Sequence, residues 1–289
     1  MGPTPAELHG ILRAFDLPTS SEVKLIRRGT NFVYLVEDVE AILRVTTADS
    51  VDDLRKQINV VKQLSEVALV LPPLSEKVAV SGCYAATLWA KGEVRQGKEA
   101  FARLGNALKS LWEVDPHEVD WADFGRVDLL GRAKRRLETL KTLTIPARHI
   151  DFLECQISDL TLAHDALVSE GNSLIHGDAY IGNLVFYEGQ YLLIDMDNLC
   201  IGKPEIDLVP TKVEADRFAR VEEFKALERG ARKSLSKWYW SKDACRIREL
   251  TMVTWLGTLW DVDQNKRDQF LLRMATLMDI SDHRQWESV

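Results

Sequence analysis

Residues 174–197 read LIHGDAYIGNLVFYEGQYLLIDMD, and this stretch decides the fold. Two short apolar runs, Asn183–Tyr187 and Tyr191–Ile194, have the composition of strands. The dipeptide Glu188-Gly189 lies in the short connection between these two runs and is typical of a tight turn. The stretch therefore predicts a compact β-hairpin.

Three polar residues of this stretch have the side chains that phosphoryl transfer requires. Asp178 precedes the hairpin on a loop, Asn183 enters its first strand, and Asp195 leaves its second strand. Phosphoryl transfer needs a carboxylate that orients the attacking hydroxyl and accepts its proton. It also needs hard oxygen ligands for Mg²⁺, which carboxylates and amides supply. We expect the three side chains to converge on one side of the hairpin and to face one cleft.

The segment from His176 to Asp197 resembles the aminoglycoside phosphotransferase and choline kinase group, which shares the protein-kinase fold. The pattern of that group is H-G-D-x-x-x-x-N, followed by a strand and I-D-x-[DE]. The resemblance implies that Asp178 is the catalytic base and that His176 supports the catalytic loop. It implies that Asn183 and Asp195 are ligands of Mg²⁺.

Two further segments extend the resemblance, which spans residues 20–270 approximately. The segment Gly202–Leu208, GKPEIDL, is similar to the group's G-x-P-x-x-D-L and implies that Asp207 is a structural carboxylate bracing the catalytic loop. The segment Leu104–Trp112, LGNALKSLW, is similar to L-G-x-x-L-x-x-L-H, with Trp112 in place of the histidine.

The rest of the chain predicts an α+β protein with a β-rich first third and a helical remainder. The predicted strands cover residues 23–26, 31–37, 41–46, 78–80, 84–88 and 173–175, besides the hairpin. The predicted helices cover residues 4–16, 49–66, 100–113, 129–140, 150–169, 204–236, 242–260 and 264–278. This arrangement predicts two lobes, and the resemblance implies that they form a two-lobed, protein-kinase-like fold. A small β-rich N-lobe over 1–90 and a large helical C-lobe over 91–289 would be joined near Trp89–Glu93.

The predicted nucleotide site departs from the usual kinase pattern. Gly29-Thr30 lies where kinases have a phosphate-covering loop, although a plain hairpin turn is an alternative. Arg44 occupies the position of the phosphate-gripping lysine on the third strand, and Gln57 stands where its partner glutamate is expected. Trp89-Ala90 begins the segment whose backbone would bind the base of ATP or GTP.

The predicted acceptor site lies among the C-terminal helices. Asp197, Glu249 and Asp261 are its candidate substrate-binding carboxylates, and aromatic residues accompany them: Trp238, Tyr239, Trp240, Trp255 and Trp260. Aromatic faces and carboxylates suit a cationic, hydroxylated ligand. As alternatives, the tryptophans form the core of a helical lobe and Asp197 serves the metal.

Composition narrows the range of partners. The chain has 289 residues, of which 46% are hydrophobic and 28% charged, and its net charge is −7. This charge disfavours nucleic acid and anionic membranes and favours a cationic small molecule. No apolar run reaches the roughly 18 residues of a membrane span. The N-terminus has no secretory pattern, and the four cysteines have no metal-ligand spacing. We therefore expect a cytoplasmic protein.

The leading hypothesis is a small-molecule kinase with Mg²⁺ and ATP or GTP as its cofactors. It would phosphorylate a hydroxyl of an amine-bearing acceptor, an aminoglycoside-like or other antibiotic. One alternative is a metabolic kinase for choline, an amino sugar or homoserine. Another is a pseudokinase-like nucleotide-binding regulator, which Gln57 favours and the retained set of Asp178, Asn183 and Asp195 disfavours. A protein kinase is disfavoured because no Asp-Phe-Gly or Ala-Pro-Glu motif follows Asp195.

Overall fold

The computed structural model describes residues 2–28, 31–115, 117–119 and 124–287. These residues form two compact units. The first unit contains residues 1–95, 114–122 and 182–197, and the second contains residues 96–113, 123–181 and 198–289. The strands are β1 Val23–Arg28, β2 Phe32–Val36, β3 Ala41–Thr47, β4 Ala79–Ser81, β5 Tyr84–Ala90, β6 Ser173–Ile175, β7 Leu184–Tyr187, β8 Gln190–Leu193 and β9 Cys200–Gly202. The helices are α1 Pro5–Ala14, α2 Val51–Val67, α3 Lys98–Trp112, α4 Gly131–Leu140, α5 Ala147–Asp159, α6 Thr161–Ser169, α7 Val209–Arg217, α8 Val221–Ala231, α9 Ser241–Gly257 and α10 Gln264–Met278.

The first unit is built on an antiparallel five-stranded sheet in the order β1-β2-β3-β5-β4. Side chains of a strand alternate between the two faces of a sheet. On β3, Ala41, Leu43 and Val45 are buried in the core that α1 covers. Arg44 therefore projects from the opposite face of this strand.

The hairpin of β7 and β8 belongs to the first unit, although it follows the helices of the second unit in sequence. Backbone hydrogen bonds connect it to the rest of the first unit. The Leu71 N–H donates to the Leu193 carbonyl at 2.9 Å, and the Glu93 N–H donates to the Phe186 carbonyl at 2.9 Å. The boundaries of these compact units therefore differ from those of the lobes expected over residues 1–90 and 91–289. The expected lobe boundaries remain a prediction.

The second unit is mainly helical, and its helices α3 and α8 pack closely against each other. Gly105 of α3 lies so close to α8 that an added Cβ would meet the backbone at Leu227 and Ala231. Gly230 of α8 lies equally close to the Ala102 carbonyl of α3. These contacts let the two helix backbones approach directly. The antiparallel pair of β6 and β9 lies in the same unit, with Leu174 opposite Ile201.

The predicted α+β class is confirmed, and most predicted elements are present. The single helix predicted over 150–169 is wrong, because the chain breaks at Leu160 into α5 and α6. The helix predicted over 204–236 is also wrong, since it divides into a 3-10 segment, α7 and α8. The strand β9 has no counterpart in the prediction, because a three-residue strand carries too little alternation to be recognised.

Candidate active site

The loop that carries Asp178 follows directly after β6. Gly177 has φ +74°, and a Cβ there would collide with the Asn198 carbonyl, so the position requires glycine. The Asp178 carboxylate accepts a hydrogen bond from Arg248 Nη1 at 2.9 Å. Arg132 Nη1 lies 3.3 Å from its other oxygen. The loop thus presents one carboxylate between two guanidinium groups.

These two arginines determine the ionisation of Asp178. Burial alone would raise the pKa of this carboxyl group. The charges of Arg248 and Arg132 outweigh burial and hold the pKa of Asp178 below its ordinary value. Asp178 is therefore ionised at neutral pH. Neither arginine was predicted as a site residue.

A buried carboxylate, Asp207, holds the backbone of the same loop. It accepts hydrogen bonds from the backbone N–H groups of His176 and Gly177, both at 2.9 Å. Trp112 Nε1 donates to it at 2.9 Å, so the tryptophan supplies the N–H that a histidine has in the similar motif. Burial raises the pKa of Asp207, against the three N–H donors that favour its ionised form. The His176 side chain is fully buried beneath the loop.

Asn183 and Asp195 lie at the same end of the hairpin in the first unit. Leu184 pairs with Leu193; Asn183 precedes this pair, and Asp195 follows it by two residues. Between them, the Ile194 N–H donates to the Asn183 carbonyl at 3.0 Å. Asp195 has a left-handed backbone, with φ +64°. Its side chain is 28% exposed, whereas Asn183 is buried.

Arg44 joins this end of the hairpin to α2. Its guanidinium group donates to both oxygens of Asp197, with the Nη1 to Oδ1 distance at 2.7 Å. Its Nη1 also lies 3.3 Å from Asp195. The Gln57 amide donates to Asp197 rather than pairing with Arg44. Burial lowers the pKa of Arg44, and the Asp195 charge opposes that shift.

The structure gives less information on the other residues predicted to bind the nucleotide. Gly29 and Thr30 lie outside the described residues. Trp89 and Ala90 are the last two residues of β5, and the Trp89 indole donates to the Thr87 hydroxyl at 2.8 Å. Ala90 pairs with Ala41 of β3. Their roles, and that of Arg44, remain predictions.

The predicted acceptor carboxylates Glu249 and Asp261 both have arginine partners within the second unit. Glu249 accepts from Arg217 Nε at 2.6 Å, and Asp261 lies 3.5 Å from Arg267 Nη2. The tryptophans divide between core and surface. Trp238 and Trp260 are buried, whereas Trp255 is 40% exposed. The substrate-binding role of these carboxylates and of Asp197 remains a prediction.

A cavity of about 230 Å³ lies in the second unit beside the loop that carries Asp178. Gly177 and Asn198 contribute to its wall, together with three arginines, Arg132, Arg135 and Arg248. Arg132 and Arg135 share one face of α4, since they are three residues apart. The signal available in the sequence was the basic run of this helix, GRAKRRLETL.

Two other kinds of feature are absent from the described ranges. Histidine, cysteine and acidic side chains do not form a group of three or more that could hold a metal ion there. Nor does any helix of that part of the chain have the length and apolar character needed to cross a membrane.

Comparison with known proteins connects this geometry to a family. A model described as "Phosphotransferase enzyme family" matches residues 22–241. No curated protein matches the chain in sequence. The match includes the loop of Asp178, the hairpin and Asp207.

Solved structures with the same fold are similar over nearly the whole chain. An amicoumacin kinase bound to AMP-PNP and Ca²⁺ is 15% identical, with a TM-score of 0.69, and the match covers 92% of this chain and 90% of that one. A complex of APH(2'')-IIia with GDP and kanamycin is 15% identical, with a TM-score of 0.66 and coverages of 95% and 99%. A choline/ethanolamine kinase family protein from Mesorhizobium loti is 17% identical, with a TM-score of 0.61 and coverages of 90% and 89%. The predicted kinase-like fold is confirmed.

Proposed function

Because the chain belongs to the phosphotransferase enzyme family and acts on hydroxyl groups, we propose that it transfers the γ-phosphate of ATP or GTP to a small molecule. The observation that carries the proposal is the Asp178 carboxylate, which Arg248 and Arg132 keep ionised. Such a carboxylate orients an acceptor hydroxyl and takes its proton. The hydroxyl oxygen bonds to the γ-phosphorus as the bond between that phosphorus and the β–γ bridging oxygen breaks, and a nucleoside diphosphate leaves.

We propose that Asn183 and Asp195 hold Mg²⁺. Proteins usually bind Mg²⁺ through one or two carboxylates together with phosphate oxygens and water, so one amide and one partly exposed carboxylate fit this ion. When bound, Mg²⁺ supplies positive charge that stabilises the phosphates in the transition state. Arg44 is then the residue that we expect to bind a nucleotide phosphate, in exchange for its contacts with Asp195 and Asp197.

Two classes of acceptor remain candidates. The names of similar proteins, an amicoumacin kinase and a kanamycin complex, support the amine-bearing antibiotic that the sequence favours. One observation favours a small metabolic acceptor. The cavity of about 230 Å³ is smaller than the roughly 300–1,000 Å³ of pockets for drug-sized ligands. A role in antibiotic resistance and a cytoplasmic location also remain predictions.

A coupled assay of nucleotide turnover tests the proposed function. Aminoglycosides, peptide antibiotics, choline, amino sugars and homoserine are screened with Mg²⁺ and either ATP or GTP. We expect one acceptor class to stimulate turnover and to gain one phosphate by mass spectrometry. Nucleotide binding without transfer to any acceptor would instead support the pseudokinase-like regulator.

A further inference from the structure

The walls of the cavity beside the catalytic loop carry more positive than negative charge. Arg132, Arg135 and Arg248 line it, and Asp128 is the single carboxylate among its lining residues. Asp128 is 57% exposed at its side chain and accepts the Gly131 N–H at 2.8 Å, so water and the backbone already solvate it. The cavity therefore presents three guanidinium groups to its contents with little compensation from its own wall.

Asp178 does not neutralise this excess. Its single charge is shared between Arg132 and Arg248. Arg136, the next arginine of α4, is affected by the same excess of positive charge. Burial lowers the pKa of Arg136, and the neighbouring charges of Arg132 and Arg248 lower it further.

Two arginines of the wall also have donors to spare. Arg248 Nε is buried without a hydrogen-bond partner among the described residues. Buried donors of this kind are rare in native proteins and indicate a missing partner. Arg135 is exposed and forms no ion pair or hydrogen bond within the part of the chain described here. An anion in the cavity would give Arg135 a partner.

We propose that the acceptor carries a carboxylate or a phosphate ester, which Arg132, Arg135 and Arg248 bind in this cavity. The inference rests on the proposed function, because it assigns the cavity beside Asp178 to the acceptor. Guanidinium groups bind both anions through charge-assisted, often bidentate hydrogen bonds. The size of the cavity suits a single sugar ring or a short hydroxylated chain.

This inference opposes the amine-bearing acceptor that the net charge of −7 favours. An amine in the cavity would meet three like charges. The predicted acidic residues Glu249 and Asp261 do not line the cavity, and each has an arginine partner. The positive charge of the cavity wall therefore favours an anionic acceptor, although the net charge of the whole chain favours a cationic one.

The test compares four probes that share one hexose ring and differ in charge. D-Glucose is neutral, D-glucosamine is cationic, D-glucuronate carries a carboxylate, and D-glucose 6-phosphate carries a phosphate ester. Each is titrated calorimetrically into the full-length protein without nucleotide and at low ionic strength. We expect at least one anion to bind about tenfold more tightly than both glucose and glucosamine. The two anions together reveal which source of negative charge the cavity prefers.

Three variants locate the binding. Arg135→Gln should weaken anion binding by about fivefold without loss of folding, because Arg135 is exposed. Arg148→Gln removes a similarly exposed arginine of α5 that does not line the cavity. This variant should bind the anions with unchanged affinity. Asp178→Asn should strengthen anion binding, because it frees Arg132 and Arg248 from their carboxylate.

Glucosamine as the tightest probe, equal binding of all four, or weaker anion binding by Asp178→Asn would overturn the inference. Failure of both anions to bind would overturn it as well. None of the titrations requires phosphoryl transfer. A protein that binds anions but never turns over nucleotide would therefore refute the proposed kinase activity and leave the charge preference standing.

Discussion

Trp112 has a structural role that its sequence motif does not reveal. Its indole is one of three N–H donors to Asp207, and the other two belong to the backbone of the catalytic loop. Asp207 is 1% exposed, so water cannot replace a lost donor. The side chain thus connects α3 to the loop that presents Asp178.

Trp112→Phe should destabilise the protein by about 1–3 kcal/mol, because it removes a donor from a buried carboxylate. Urea unfolding measures the change. Trp112→His should recover part of the loss, since histidine also offers a ring N–H. Trp255→Phe is the matched control, because Trp255 is 40% exposed. Equal stabilities of Trp112→Phe and this control would contradict the role of the indole.

Arg248 should govern the pH dependence of Asp178. In the wild type, the pKa of Asp178 lies below its ordinary value, so the base stays ionised as the pH falls towards that value. Arg248→Met removes the nearer positive charge and leaves Arg132 as the remaining arginine that opposes burial. The pKa of Asp178 should therefore rise, and the acid limb of the kcat/KM profile should move to higher pH.

Arg246→Met is the control for this profile, since Arg246 lies on the same helix and contacts Gln156 instead. Its acid limb should match that of the wild type. An unchanged limb in Arg248→Met would show that Arg248 does not set the ionisation of Asp178.

The register of the hairpin of β7 and β8 brings Asn183 and Asp195, the two proposed ligands of Mg²⁺, to one end. Leu184 pairs with Leu193, so Asn183, just before this pair, and Asp195, two residues after it, lie at the same end of the hairpin. A carboxylate supplies charge and an amide only a dipole. Asp195→Ala should therefore weaken the binding of Mg²⁺-nucleotide more than Asn183→Ala does, as measured by calorimetry. The reverse order, or wild-type affinity in Asp195→Ala, would remove Asp195 from the metal site.

The sequence predicts a secondary-structure element well where a single hydrophobic period or a single turn motif defines it. The turn at Glu188-Gly189 is present, and both residues have positive φ. The break at Leu160 was invisible because the buried positions keep a helical spacing across it, from Ile157 through Leu160 to His164. Periodicity reports which face is buried, and it does not report whether the backbone continues.

For the molecule as a whole, the ordered motif predicted the fold and the family, whereas net charge was a poor guide to the cavity. The chain is acidic overall, yet Arg132, Arg135 and Arg248 meet around one small space. Arg248 is more than a hundred residues from α4 in sequence. Such a juxtaposition depends on tertiary packing, so composition alone could not reveal it.

The most direct test of the central claim is single-turnover transfer of the γ-phosphate to the acceptor identified by screening. Wild-type protein and Asp178→Asn are compared with saturating Mg²⁺-nucleotide. The phosphorylated acceptor is quantified by mass spectrometry, and nucleotide affinity and unfolding are measured in parallel. With Asp178 as the base, the variant should fold and bind nucleotide normally and transfer phosphate about 10²–10⁴-fold more slowly. A variant that keeps more than about a tenth of the wild-type rate would contradict this account, because so small a loss is below that of a general base.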